Sequence, residues 1–540
     1  MRLHLPILLT SLVFFAACQK PKLESQRPFP LEQDPFIQVY FNHNQSQGAD
    51  YKEPYRQLTR PGDNLEQLVV DAISSATSTV DIAIQELRLP KIAQALVQKH
   101  QAGVKVRVII DNSYNRPWSD FIQQEVDKLD TRKKQRYQEF ISLADRNGDG
   151  KLSEKEIYER DALIILRRAG VPVLDDTADG SQGTGLMHHK FLVVDGYTVV
   201  TGSANFTSSG IHGDFNAPES RGNANHLVQI KDTRLANILT EEFNLMWGDG
   251  LGGKSDSKFG LQKKIRKPQH LTIGETKVTV QFSPSSPSKP WSYSSNGLIS
   301  NTLASATDSI NLALFVFTEQ NLVNSLEVSH RQGVKISALI DPSFAFRYYS
   351  EALDLLGVAL SSKCKYEPDN SPWQNPLASV GIPQLARGDK LHHKFAVVDK
   401  QIVITGSHNW SNAANHQNDE LVLVLENPTI AAHFTREFNR LNQNAILGLP
   451  VAIQQKITEQ EQSCIQITTT SSTDDLAIGL INLNTANQKE LEKLPGIGSQ
   501  LAKRIITTRQ HQPFTSLEDL ERVSGIGSSI RQKLDGRVTW

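Results

Sequence analysis

His188-His189-Lys190-Phe191-Leu192-Val193-Val194-Asp195, followed seven residues after Asp195 by Gly202-Ser203-Ala204-Asn205, decides the fold. It occurs twice. The second copy is His392-His393-Lys394-Phe395-Ala396-Val397-Val398-Asp399, with Gly406-Ser407-His408-Asn409 at the same spacing. Each copy reads H-x-K-x4-D-x6-G-S-x-N over eighteen positions. A His and a Lys two apart on a strand point to one face, and the apolar run after them reads as a buried strand.

The duplication extends outward from the motif. Ser74-Ser75-Ala76-Thr77-Ser78-Thr79-Val80 is echoed by Ala304-Ser305-Ala306-Thr307-Asp308-Ser309-Ile310, and the Gly103–Asp111 segment by Gly333–Asp341. Around each copy, helix and strand patterns alternate, which predicts a sheet with helices on its faces. The chain is therefore α/β, a duplicated module of two sheet-plus-helices halves about a pseudo-two-fold axis. The paired motif resembles the HKD signature of the phospholipase D superfamily of phosphodiesterases.

That resemblance implies a covalent phosphohistidine, later hydrolysed by water, with no metal or other cofactor for catalysis. One histidine attacks as a neutral imidazole and the other donates a proton to the leaving oxygen. By analogy with two-motif members, His188 is the nucleophile and His392 the general acid, although the two copies are nearly symmetric. Lys190 and Lys394 neutralise the phosphate oxygens, with Asn205 and Asn409 as added donors. Asp195 and Asp399 read as holders of strand and loop geometry, and His189 and His393 as structural. The superfamily also places an acidic residue beyond G-S-x-N to orient a catalytic histidine. Glu420 fits in the second half. In the first half, one alignment puts Asn225 there and another His226, neither a carboxylate, with Glu219 nearby as a substitute.

From Asp111 to His188 is 77 positions, against 51 from Asp341 to His392. The excess holds Asp145-Arg146-Asn147-Gly148-Asp149-Gly150-Lys151-Leu152-Ser153-Glu154-Lys155-Glu156. Oxygen side chains at Asp145, Asn147, Asp149, Ser153 and Glu156, the carbonyl of Lys151 and a turn at Gly150 resemble an EF-hand loop for calcium. Helices are expected over roughly 121–143 and 153–168.

The last segment differs in kind. Leu494-Pro495-Gly496-Ile497-Gly498 and Ser524-Gly525-Ile526-Gly527 each precede a helical stretch. They resemble the tandem helix-hairpin-helix module of competence-type DNA-binding proteins, a small all-α domain. Gly496, Gly498, Gly525 and Gly527 let the backbone approach a phosphate, and the following helix offers free N–H groups. Leu480 to Trp540 carries nine Lys/Arg against six Asp/Glu. Such a module grips the DNA backbone without reading bases.

The whole chain of 540 residues has a net charge of −1, so any basic surface is local. Met1-Arg2, an apolar run and Phe15-Ala16-Ala17-Cys18 read as an export signal. Its ending resembles a lipobox in which Cys18 is lipidated, with Phe15 in place of the usual aliphatic. The expectation is an exported protein, either membrane-anchored through Cys18 or secreted. Cys364 and Cys464 are then the remaining pair of thiols, able to bridge outside the cytosol.

The expected domains are a signal over 1–17 and a tether over 18–35. The first half covers 36–252, with its insertion at about 121–168, then a solvated linker covers 253–274. The second half covers 275–448, a second linker 449–477 and the hairpin domain 478–540. Both half-sites lie in one chain, so a monomer suffices. The expected substrate is DNA. The alternatives are a phospholipid headgroup, or a DNA-binding protein that merely clamps phosphate.

Overall fold

The computed structural model describes residues 27–46, 50–181, 185–471, 481–494 and 496–523, and near the C-terminus 525, 526, 530, 531, 534 and 538–540. The signal, Cys18 and Gly527 lie outside the described residues. The chain divides into two units, Met1–Gln454 and Gln455–Trp540.

In the larger unit each half builds a mixed sheet. The first has β1 (Ile37–Phe41), β2 (Thr79–Ile84), β3 (Lys105–Ile110), β4 (Val173–Asp175), β5 (Lys190–Val194), β6 (Thr198–Gly202) and β7 (His226–Lys231). Their order is β1-β7-β6-β5-β2-β3-β4. The second has β8 (Gln269–Ile273), β9 (Thr276–Ser283), β10 (Ser309–Leu314), β11 (Lys335–Ile340), β12 (Val380–Ile382), β13 (Lys394–Val398), β14 (Ile402–Gly406), β15 (Glu420–Glu426) and β16 (Ile446–Leu447). Its order is β8-β9-β15-β14-β13-β10-β11-β12-β16, the same seven strands with one added at each edge. In each half the three strands at one end run parallel, β2-β3-β4 and β10-β11-β12, and the HKD strands β5 and β13 pair antiparallel to their neighbours.

Both faces of the motif strands are buried, which is why they read as unbroken apolar runs. Phe191 and Val193 face a core shared with Phe395 and Val397 of the other half, and with the helices Thr233–Trp247 and Pro428–Asn442. Leu192 and Val194 face the opposite way, under the helices Leu65–Ser74 and Pro90–Gln101. Ala396 and Val398 do the same in the second half. Burying each such side chain contributes about 1.5–3 kcal/mol, and the shared core joins the halves.

Two expected connectors are packed. The segment read as a solvated linker buries Phe259 completely, and its residues Gln269–Ile273 form β8. Lys263, also buried, pairs with Glu242 and with Asp419 at 2.6 Å, and Arg266 pairs with Glu242. Two basic residues of this segment thus meet buried carboxylates, which composition alone does not reveal, while Lys258, Lys264 and Lys267 stay exposed. At the end of the expected tether, Asp34 accepts from the amides of Phe36 and Ile37, both at 2.9 Å, and from Asn427 at 3.0 Å.

The insertion forms helices at Gln123–Val126, Thr131–Ala144, Glu154–Arg160 and Ala162–Arg168, so the first expected helix is interrupted between Val126 and Thr131. The expected long second helix breaks at Asp161, whose carboxylate caps Leu163. Among the described residues no three His, Cys, Asp or Glu side chains gather as a metal site. The loop's carboxylates are engaged locally. Glu156 accepts from the amides of Arg146 at 2.8 Å and Ser153 at 2.9 Å, and from the Ser153 hydroxyl at 2.7 Å, capping its own helix. Asp145 likewise accepts from Gly148 and Gly150.

The smaller unit is built on the helix Ser499–His511 and a core including Leu483, Leu491, Ile505, Phe514 and Leu534. Gly496 and Gly525 have φ of 84° and 99°, the left-handed region expected of hairpin glycines. Gly498 is the N-cap of that helix, with no side chain to occupy its free amides.

Candidate active site

The two motifs meet across the seam between the halves. The amide of His188 donates to Asp419 at 3.0 Å, and that of His392 to Ala224 at 3.1 Å. Met187 pairs with Asp419 and Ala224 with Leu391 in matching parallel bridges. Asp111 and Asp341 anchor the two approaches from beneath, accepting from Met187 at 3.1 Å and Leu391 at 2.9 Å. Each histidine is thus fixed by its own sheet and by the other half.

Side chains cross the seam too. The Nδ1 of His188 donates to Glu420 Oε2 at 2.7 Å, and the Nδ1 of His392 to Asn225 Oδ1 at 2.9 Å. Ser407 and Ser203, the serines of G-S-x-N, each donate to that same oxygen at 2.8 Å. Asn225 therefore stands where Glu420 stands, as the first of the two alignments has it. The exposed Glu219 does not substitute for it. His226 instead meets His393 Nδ1 at 2.9 Å and Thr405 at 2.6 Å, inside the shared core.

With Nδ1 engaged, each catalytic ring presents Nε2. His189 and His393 face the other way and bond Glu242 at 3.0 Å and Glu437 at 2.9 Å on the seam helices. Lys190 donates to the His188 carbonyl at 2.9 Å and to Gln85 at 3.3 Å, and Asn205 also donates to Gln85, at 3.1 Å. Lys394 donates to the His392 carbonyl at 2.6 Å but lies 5.0 Å from the Phe315 ring centroid, where half 1 has Gln85. The Oδ1 atoms of Asn205 and Asn409 are buried without a partner.

Asp195 takes no part in the pocket. It accepts from the amides of Thr77, Ser78 and Thr79 and the hydroxyls of Thr77 and Ser78, at 2.7–2.8 Å. Asp399 does the same with Thr307, Asp308 and Ser309. Both have φ near 50°, at the turn closing the motif strand.

Burial, then the charges of Lys190 and Lys394, hold His188 well below the usual imidazole pKa. Burial, then Lys394, Lys190 and His188, do the same to His392, so the two motifs share one electrostatic field. Burial lowers Lys190 to about 7 and Lys394 well below its usual value. Burial also raises Glu420. All four His and Lys shifts disfavour positive charge here, and an anion placed among these groups would oppose them.

Of the residues that matter here, Gln85, Phe315, Asp111 and Asp341 were not singled out from the sequence. The signal was present, because the residue after each repeated strand (Gln85 and Phe315) and each repeated Ile-Asp end aligns between the halves.

A duplicated α/β module with paired His-Lys motifs at its seam defines a phosphodiesterase of the phospholipase D superfamily. Residues 69–247 and 299–442 match the family described as cardiolipin synthase, PLD-like domain, and the chain belongs to that family. Residues 477–539 match the helix-hairpin-helix motif. The chain is 30% identical over 183 residues to the mitochondrial cardiolipin hydrolase of Mus musculus, covering 32% of this chain and 72% of that protein. For the Homo sapiens protein of that name the figures are 30% over 141 residues, 26% and 47%, so about half of that relative's length is spanned. Nuc from Salmonella typhimurium, a phospholipase D family member, aligns with 22% identity and TM-score 0.26 over 33% of this chain and all of Nuc. Phosphatidylserine synthase from Haemophilus influenzae aligns at 12% and 0.47, over 82% of this chain and 97% of that one.

Proposed function

We propose that the seam site hydrolyses phosphodiesters through a phosphohistidine, with DNA as substrate. The crossed pair of hydrogen bonds carries this reading, because it gives the two histidines different partners. Neutral His188 attacks phosphorus through Nε2 while its Nδ1–H stays on Glu420, whose charge offsets the cation formed on the ring. The leaving oxygen departs with a proton from His392. Water, giving its proton back to His392, then attacks phosphorus, the new O–P bond replaces Nε2–P, and His188 is released. Lys190 and Lys394 hold the non-bridging oxygens. The incoming phosphate offsets their mutual repulsion and raises the pKa of His392, so that it enters the reaction protonated.

The hairpin unit favours DNA over lipid, since Gly496, Gly498, Gly525 and Gly527 suit a duplex backbone. Tethering it to the catalytic unit raises local substrate concentration. A second reading, hydrolysis of a phospholipid headgroup, is favoured by the relatives, which are named for cardiolipin. A phosphate clamp with little turnover is disfavoured by a nucleophile held on a carboxylate.

Purified protein incubated separately with supercoiled plasmid, cardiolipin vesicles and phosphatidylcholine vesicles, with and without EDTA, tests the choice. Plasmid nicking that persists in EDTA and is lost in His188→Ala and His392→Ala is expected. Turnover of lipid without plasmid overturns the substrate.

From the Met1–Cys18 sequence we also propose that the chain is exported, either lipidated at Cys18 or secreted, and works as a monomer. Incorporation of labelled fatty acid that is lost in Cys18→Ser tests the anchor, and the mass in solution tests the monomer. Calcium at Asp145, Asn147, Asp149, the Lys151 carbonyl and Glu156 requires Glu156 to leave its helix cap. A calorimetric titration with calcium, abolished in Glu156→Gln, tests it.

A further inference from the structure

The insertion belongs to the first half alone, and its helix Thr131–Ala144 carries the basic run Arg132-Lys133-Lys134-Gln135-Arg136. That helix is fastened to the rim of the seam site at two points. Arg136 donates to Glu86 at 3.3 Å, one residue beyond Gln85, the acceptor shared by Lys190 and Asn205. Glu86 is 4% exposed and also meets Arg88 at 3.5 Å, so this anchor is buried. Glu139 accepts from the Phe215 amide at 2.5 Å, in the segment that leads to Asn225, the partner of His392. The helix therefore crosses the first half's wall of the pocket.

Arg136 and Glu139 mark the face turned to the site. Residues three and four apart are neighbours on a helix surface, so Arg132 continues that face one turn outward and Lys133 flanks it. Lys134 falls on the far side. All three are exposed, and among the described residues Arg136 alone of the run forms an ion pair. Asp130 caps the helix, accepting from the Lys133 amide at 2.9 Å. The matching span of the second half holds the short helix Glu351–Leu355, whose first turn is acidic.

We propose that Arg132 and Lys133 form a track for the sugar–phosphate backbone of the DNA strand that leaves the pocket on the His188 side. This rests on the DNA reading given above. A row of cations along one helix, raised beside the pocket, suits a linear polyanion better than the flat surface of a bilayer. Such contacts hold the strand in place without reading its bases.

The test is plasmid nicking and bis(p-nitrophenyl) phosphate hydrolysis by full-length wild type, by the double variant Arg132→Gln with Lys133→Gln, and by Lys134→Gln. The double variant is expected to lose about tenfold in kcat/KM for plasmid, and its log–log salt slope to become shallower by about 1–2. Its turnover of the small diester should be unchanged, and Lys134→Gln should alter nicking by less than about twofold. An equal loss in Lys134→Gln, an equal loss on the small diester, or no loss on plasmid overturns the proposal. Loss of cardiolipin-vesicle turnover with nicking retained overturns it in favour of a lipid surface. If wild type cuts no DNA, the substrate reading falls, and the salt slope for binding a fluorescein-labelled oligonucleotide still decides the track. A shallower slope in the double variant supports it, and an equal slope overturns it.

Discussion

The two halves of the catalytic unit lay the same seven strands in the same order, yet they surround their histidines differently. His188 is backed by Glu420, and its lysine shares Gln85 with Asn205. His392 is backed by Asn225, and its ring centroid lies 4.7 Å from that of Phe315. A carboxylate stabilises a cation and an amide does not. The repeat carries two equal motifs, and under the proposed mechanism the differences around them would suit one side to carry a phosphoryl group and the other to pass a proton.

The sharpest way to break this comparison uses leaving groups. His188→Ala and His392→Ala should each lower plasmid nicking by about 10⁴-fold or more. With bis(p-nitrophenyl) phosphate, whose leaving group needs no proton, His392→Ala should recover about 10²-fold of its loss and His188→Ala none. Recovery in His188→Ala instead would reverse the roles.

The next effect concerns the backing residues. Glu420→Gln should lower kcat by about 10²–10³-fold while leaving KM nearly unchanged. Asn225→Asp should instead act on folding. The Asn225 Nδ2 donates to the Gly210 carbonyl at 2.7 Å, and a carboxylate oxygen there would repel it. Denaturant unfolding should show a loss of about 1–3 kcal/mol.

The lysines give a pH test. Lys190 titrates near 7 in the free enzyme, so raising pH through that value removes its charge and KM should rise. Stability moves the other way. The unfolded lysine binds its proton up to the ordinary range, so the unfolded state holds more protons above about 7 and folding is favoured as pH rises. Lys190→Met should therefore be inactive but more stable by roughly 1–4 kcal/mol.

The smallest difference is expected at Asp195 and Asp399. Each ties its strand to the turn before the neighbouring strand, so either change to Asn should cost about 1–3 kcal/mol in urea unfolding. A selective loss of kcat in only one would place that carboxylate in the reaction.

Much of this was legible in the chain. The repeated eighteen-position pattern gave both histidines, both lysines and the two-half fold, because the strand period of two and apolar burial act locally. The glycines at 496 and 525 were readable because a left-handed turn favours glycine. The basic run around Lys263 and Arg266 read as solvent-facing because its partners, Glu242 and Asp419, are distant in sequence. The loop at Asp145 carries the right oxygens, but spacing does not say that Glu156 caps its own helix.

The sequence by itself determined which side chains are candidates for the chemistry, and its repeat implied that two copies of them meet. Only the tertiary structure decided which residue backs which histidine. Glu420 lies in one half and the ring it holds in the other, and a contact across the seam leaves no periodicity in either segment.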